Sequence, residues 1–170
     1  MAVAVYPGSF DPLTIAHLAI AHAAVLQLEL DRVDLAISRS TLGKVHLRAD
    51  TVAARVEAIR RAAGTRPWLG VVVVDEQLVA EIAQGYQVVV MGADKWAQVN
   101  DATWYDGDAA RRDRALERLP RVAVAPRGGI EVPRHLLLDV PGHLAEVSAT
   151  EVRRGRSEWA APVEPTAPDT

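Results

Sequence analysis

The sequence contains no cysteine and few aromatic residues, which make up 5% of its 170 residues. Without cysteine it can form neither a disulfide framework nor a thiolate metal site, and this suits the reducing cytoplasm. An excess of positive charge is also lacking: the formal net charge is -3, which argues against a nucleic-acid partner. No apolar run approaches the length that spans a bilayer, and no basic leader precedes the first run. We therefore expect a cytoplasmic protein with no membrane partner.

What the sequence does contain is a regular alternation of apolar runs and helical patterns. With 49% hydrophobic and 24% charged residues, the chain fits one domain that buries a core. Five short runs are apolar on successive residues, which is typical of strands covered on both faces; they are 2–6, 33–38, 71–74, 86–91 and 122–125. The alternation predicts an α/β fold, a Rossmann-like doubly wound parallel sheet with a ligand crevice at the carboxyl ends of the strands. Within this fold we expect the strand order 3-2-1-4-5.

Helices, loops and a tail complete the predicted organisation. Apolar residues at helical spacing predict helices near 16–30, 52–63, 78–82 and 109–118. The intervening segments 39–50, 92–108 and 126–147 are predicted as long loops, where binding residues concentrate. We expect a single domain over residues 1–158, followed by a disordered proline-rich tail at 159–170.

The first motif is "GSFDPLTIAH", residues 8 to 17, directly after the first apolar run. Gly8 allows backbone to approach a ligand, and Thr14 can cap a helix that begins near residue 15. His17 then falls in the first helical turn, where the helix dipole favours an anion such as phosphate. The alternative is a tight turn followed by a surface histidine. The position of the motif, between the first strand and the first helix, favours phosphate binding over this alternative.

The second motif is "VSATEVRRG", residues 147 to 155. Ser148 and Glu151 have the spacing of a capping box at a helix start. Capping does not account for Arg153, whose guanidinium can grip two phosphate oxygens at once. With Ser148 and Thr150 it predicts a second anion site, and capping and anion binding can coexist.

Together the two motifs resemble the (T/H)xGH and SSTxxR signatures of the adenylyl- and cytidylyltransferase superfamily. Between them, "MGADKWAQVNDATW" is similar to a segment of the bacterial nicotinate-mononucleotide adenylyltransferases, and the resemblance covers most of residues 1–156. The start is also similar to phosphopantetheine adenylyltransferase. Two positions depart from the signatures: Ala16 stands where the superfamily usually has glycine, and Ala149 where it has a second serine.

This resemblance implies transfer of AMP from ATP to nicotinate or nicotinamide mononucleotide, with release of pyrophosphate, in NAD biosynthesis. Phosphopantetheine adenylyl transfer, cytidylyl transfer and a nucleotide binder that has lost catalysis stay open as alternatives, as does a homo-oligomer. A phosphomonoester is already largely dianionic near neutrality, so the protein needs to position and neutralise phosphates rather than supply a base. The implied catalytic residues are His17, Thr14 and Arg153; the implied ATP and phosphate contacts are Gly8, Ser9, Phe10, Lys44, Ser148 and Thr150.

Four further residues are candidates for the acceptor site and each has a structural alternative. Arg55 either contacts substrate or forms an outward salt bridge from its helix. Asp94 is expected to end the fourth strand and bind a ribose hydroxyl, or else to cap a helix. Trp96 or Trp104 could stack on a pyridine ring, or only cover the sheet edge. Lys44, implied above as a phosphate contact, could equally be a solvated loop residue.

No metal-ligating pattern stands out. His46, His135 and His143 share no ligand spacing, and His22 is expected to pack against its neighbours rather than to bind. Asp106 and Asp108 are interpreted as a solvated acidic loop. We therefore expect no protein metal site, with Mg²⁺ held mainly by the phosphates of ATP.

Overall fold

The computed structural model describes residues 1–40 and 46–162. Its centre is one five-stranded sheet in which every paired strand is parallel. The strands are β1 (Val3–Pro7), β2 (Arg32–Ser38), β3 (Leu69–Val74), β4 (Val88–Gly92) and β5 (Arg121–Ala125). Their order is β3-β2-β1-β4-β5, which confirms the predicted fold.

Side-chain alternation along the strands divides the core between the two faces of the sheet. On β1, Ala4 and Tyr6 belong to one buried cluster and Val5 to the other. All three are buried, which explains why the sequence shows a continuous apolar run instead of an apolar and polar alternation.

The helices cover both faces. They are α1 (Ile15–Gln27), α2 (Ala49–Ala63), α3 (Val79–Ile82), α4 (Ala93–Asn100), α5 (Ala109–Glu117) and α6 (Ala149–Arg153). Residues of α1 and α2 pack into the cluster that contains Tyr6, and residues of α3 and α4 into the cluster that contains Val5. The sheet is therefore doubly wound, with β1 at its centre between β2 and β4. Because strand order reverses there, the carboxyl end of β1 opens a crevice.

Two of the differences from prediction have a clear local cause. The first helix ends at Gln27 rather than near residue 30, because Glu29 has a left-handed backbone, with φ +52°. The predicted loop 92–108 contains the eight-residue helix α4. Within α4 the fully buried residues are Ala93 and Val99, too few to give a visible helical stripe.

The end of the described chain returns to the start of α1. Residues 157–159 form a short 3-10 helix, Ala160 bridges Thr14, and the Ala161 N–H donates to the Leu13 carbonyl at 2.9 Å. Residues 159–161, which the sequence assigned to the tail, thus contact the domain. Over the residues that the structure describes, no helix combines the length and the apolar character needed to cross a membrane.

Candidate active site

The turn after β1 is built around the Phe10 ring. Phe10 is 3% exposed and has a left-handed φ of +45°. A Cβ placed on Gly8 would lie 2.8 Å from the tip of that ring, so the close approach that requires glycine here is to Phe10. The Gly8 N–H donates to the Ala36 carbonyl at 3.1 Å, and this bond extends the pairing of β1 with β2. The next two N–H groups, of Ser9 and Phe10, have no acceptor among the described residues.

Thr14 caps α1, as the sequence predicts. Its Oγ1 accepts the His17 N–H at 3.3 Å, and the Thr14 N–H donates to His17 Nδ1 at 3.0 Å. This is a capping box in which histidine replaces the usual glutamate. Since Nδ1 accepts a hydrogen bond, the neutral ring carries its proton on Nε2. His17 therefore offers one N–H donor beyond the cap.

His17 lies in an apolar, aromatic surrounding. Its ring meets Phe10 edge-on with 5.0 Å between centroids, and Tyr6 at 6.1 Å. Burial disfavours the charged imidazolium and lowers the pKa of His17 to about 4. At neutral pH, then, the free protein presents a hydrogen-bond donor at this position rather than a positive charge.

His17 faces a cavity of about 240 Å³ at the carboxyl ends of three strands. Pro7, Gly92 and Ala125, the last residues of β1, β4 and β5, line it together with side chains from α1 and the later loops. The charged residues of its wall are Asp94, Lys95 and Arg127. Two cations and one carboxylate make this crevice suitable for an anionic ligand.

Ala16, one of the two departures from the superfamily signatures, lies on the wall of the same cavity. It is 6% exposed, within helix α1, and clusters with Leu144 and Val147. Its backbone is ordinary helix, where alanine is more favourable for stability than glycine. The methyl group narrows the crevice without straining the chain.

The second motif begins at the predicted helix cap. Ser148 Oγ accepts the Glu151 N–H at 3.2 Å, which confirms Ser148 as the cap of α6. In a full capping box the Glu151 carboxylate would accept the Ser148 N–H. Here that carboxylate pairs with Arg154 at 3.1 Å instead.

Arg153 joins the two motifs. Its Nη1 donates to the Asp11 carbonyl, across 142 positions of sequence, and its Nη2 donates to Thr150 Oγ1 at 3.1 Å. The Arg153 side chain is 50% exposed, and a guanidinium has five N–H donors. The turn of the first motif therefore holds one side of the Arg153 guanidinium, while part of the same group stays exposed to solvent.

Arg55 also turns toward the first motif. Its Nη2 lies 3.0 Å from Asp11 Oδ2 and its side chain is 15% exposed, so the outward salt bridge, one of the two alternatives for Arg55, is replaced by an inward one. Whether Arg55 also reaches a substrate stays a prediction. Lys44 lies outside the described residues.

The acceptor candidates of the fourth strand occupy different positions. The strand ends at Gly92, and Asp94 lies beyond it in the first turn of α4, where it pairs with Arg127 at 3.1 Å. The α4 cap is Gly92, without a side-chain bond, so Asp94 is not the cap. Trp96 packs against the core. Trp104 is exposed on a cavity of about 480 Å³, whose wall shares Asp94 and Lys95 with the crevice.

Several residues of this region were missed or only partly interpreted. Asp11 lies within the first motif, where the sequence pattern indicates no role for it, and only its contacts with Arg55 and Arg153 reveal one. Arg127 could have been found, because it follows the apolar run of β5 at the end where sites form. Asp108 is a helix cap rather than only a solvated acid, since it accepts the Arg111 N–H at 3.1 Å.

The expected packing role of His22 is confirmed. Its ring stacks on Trp68, with 4.9 Å between centroids.

Across residues 1–40 and 46–162 no three histidine or acidic side chains are close enough together to hold a metal ion. Asp94 is the sole carboxylate among the described residues that line the crevice, and Arg127 already pairs with it. Such a donor set fits a Mg²⁺ ion that arrives with phosphate and water ligands better than one held in a protein cage.

The fold and these two joined motifs define a class of protein, and comparison with known proteins agrees. A family model described as cytidylyltransferase-like matches residues 5–155. The chain therefore belongs to this nucleotidyltransferase family, which confirms the resemblance of the motifs and implies nucleotide substrates. The chain is also similar to a Bordetella petrii protein named probable nicotinate-nucleotide adenylyltransferase, with 29% identity in an alignment 162 positions long; the match covers 86% of this chain and 82% of that protein.

Proposed function

We propose that this protein transfers AMP from ATP to nicotinate mononucleotide, forming a dinucleotide and releasing pyrophosphate. The observation that carries the proposal is the direct contact between the two motifs, Arg153 donating to Asp11 in the turn that leads to His17. This contact joins residues from both ends of the chain at the turn whose Gly8 and Phe10 line the crevice. The name of the Bordetella petrii relative supports the acceptor.

In this mechanism the chain positions and neutralises phosphates. The acceptor phosphate is nucleophilic without a base, because its second pKa is about 6. His17 Nε2–H and the N–H groups of Ser9 and Phe10 donate to phosphate oxygens, and Arg153 with Thr150 binds the β- and γ-phosphates that leave. Donors fixed before the reaction stabilise the charge that develops on pyrophosphate. Mg²⁺ bound to the phosphates would neutralise further charge.

The acceptor would lie beside α4. Trp104 offers an exposed indole face on the cavity that adjoins the crevice through Asp94 and Lys95, and a pyridine ring can stack there. Asp94 binds a ribose hydroxyl in this arrangement, and Arg127 remains its ion-pair partner. Trp96 packs inward, which leaves Trp104 as the better stacking candidate.

The test is pyrophosphate release with Mg²⁺, comparing ATP with CTP and supplying nicotinate mononucleotide, nicotinamide mononucleotide or phosphopantetheine. We expect the highest kcat/KM with ATP and nicotinate mononucleotide. Preference for another pair would replace the proposed reaction with the one observed. ATP binding with no release for any acceptor would favour a protein that has lost catalysis.

The variant His17→Asn ties the activity to this site. Asparagine can still accept the Thr14 N–H, so the fold should persist, while the donor toward phosphate is misplaced. We expect kcat to fall by about 10²- to 10³-fold, the usual effect of losing one such donor. Near-normal turnover would remove His17 from the mechanism.

A further inference from the structure

A line of contacts runs from helix α2 through the first motif to Arg153. Arg55 on α2 donates from Nη1 to the Ser9 carbonyl at 3.4 Å and places Nη2 3.0 Å from Asp11 Oδ2. One guanidinium therefore holds the Ser9–Asp11 turn at both ends. Arg55 can do this because its donors form a rigid planar fork.

Asp11, which Arg55 holds in place, also contacts Arg153. Its carbonyl accepts from Arg153 Nη1, and its carboxylate Oδ2 lies 3.9 Å from the same nitrogen. Thr150 holds the other arm of Arg153 at 3.1 Å. The two arginines share one carboxylate, so the turn keeps a net positive charge for a phosphate.

The energetics of Arg55 argue against a purely structural role. Its Nε is buried and has no hydrogen-bond partner among the described residues. A buried donor without a partner destabilises the fold. Lysine would carry the same charge without this group, but it could not bond Ser9 and Asp11 with the same fixed geometry.

We propose that Asp11 and Arg55 are positioning residues that set the orientation of Arg153 toward the phosphates of the nucleotide. The proposal rests on the proposed role of Arg153 in binding those phosphates. It gives Arg55 an indirect role, through Asp11, in place of the substrate contact predicted from the sequence.

The kinetic test compares Asp11→Ala and Arg55→Lys with a matched control, Arg61→Lys. Arg61 lies on the same helix and pairs with Glu57 at 3.6 Å, away from the turn. For both test variants we expect kcat with ATP to fall by about 10- to 100-fold, the range for misplacement of a reactive group. We expect the melting temperature of Arg55→Lys to stay close to that of the wild type, and the control to match the wild type in both measurements.

A double-variant comparison separates positioning from loss of stability. Asp11→Ala keeps the carbonyl that accepts from Arg153 but removes the carboxylate that ties the turn to Arg55. If Asp11 acts through Arg153, then adding Asp11→Ala to Arg153→Lys should lower kcat little further, because lysine already lacks the planar fork that the turn orients. Fully additive losses would overturn the proposal. So would losses in kcat that follow the melting temperature across all variants.

A second measurement does not depend on turnover. The Nε–H signal of Arg153, assigned by its absence in Arg153→Lys, reports the order of the guanidinium by ¹⁵N NMR relaxation. We expect an ordered signal in the wild type and in Arg61→Lys, and greater mobility in Asp11→Ala and Arg55→Lys. An unchanged Arg153 signal in both test variants would overturn the positioning role. Increased mobility in a protein that turns over none of the acceptors would support that role and reject the proposed reaction.

Discussion

His17 couples the stability of this protein to pH. Its pKa is lowered to about 4 by burial, compared with about 6.5 in the unfolded chain. Between these values the unfolded state binds more protons than the folded state, so stability rises with pH through the window and is lost as pH falls toward 4. The two pKa values predict a loss of about 2 kcal/mol between pH 7 and pH 5 from His17 alone.

The measurement is the free energy of unfolding in urea at pH 7 and pH 5 for the wild type and His17→Asn. Carboxylates contribute equally to both proteins, so the difference between their pH dependences isolates His17. We expect the variant to lose about 2 kcal/mol less over this interval. Parallel pH dependences would mean that His17 is not desolvated in the folded state.

At the level of single residues, the sequence predicted what depends on local spacing. Thr14 with His17 and Ser148 with Glu151 lie three positions apart, and both caps formed as expected. The partners of Asp11 were unpredictable for the opposite reason: Arg55 and Arg153 lie 44 and 142 positions away. Only the packing of α2 and α6 against the first turn brings them together.

At the level of elements, helix α6 depends on its cap because it has only five residues. Removing the hydroxyl in Ser148→Ala should cost about 1 kcal/mol. Because α6 carries Thr150 and Arg153, we also expect the KM for ATP to rise. The matched control is Asp108→Ala, which removes the cap of α5 and should cost similar stability with no change in KM.

The variant Ser148→Asp separates capping from phosphate binding. Aspartate caps helices as well as serine does, so the melting temperature should recover. The Ser148 hydroxyl, which accepts from Glu151, can still donate to phosphate, whereas a carboxylate repels it. We expect Ser148→Asp to be stable and to bind ATP more weakly than Ser148→Ala; recovery of both properties would mean that Ser148 is only a cap.

Among the elements, strands were easier to predict than short helices. The runs of β2 and β4 are buried along nearly their whole length, so each residue adds to the apolar signal. Helix α5 was found from its composition although none of its residues is fully buried. Helix α4 was missed because it has neither the Ala-, Arg- and Leu-rich composition of α5 nor an apolar stripe, its buried residues being only Ala93 and Val99.

On the scale of the whole molecule, the alternation of strands and helices was enough to predict a doubly wound parallel sheet with right-handed crossovers. It could not predict that the end of the domain closes on its beginning. Trp159 packs beside Ala16 and Val147, which belong to the two motifs. Arg156 lies over the Trp159 ring at 4.9 Å, an exposed contact that sequence pattern does not reveal.

Two truncations test this closure. A chain ending at Pro162 retains Trp159 and the bonds of Ala160 and Ala161 to the start of α1. It loses residues 163–170, which are proline-rich and have few apolar side chains to bury. Its melting temperature should therefore equal that of the full chain. A chain ending at Arg156 loses those contacts. We expect it to melt about 5 °C lower, since about 2 kcal/mol of apolar burial is removed. The KM for ATP should rise as well, because Ala160 bridges Thr14 at the cap that orients His17. Equal melting temperatures for the two truncated chains would mean that the C-terminal segment adds nothing to the fold, and Trp159→Ala in the full chain should then also be neutral.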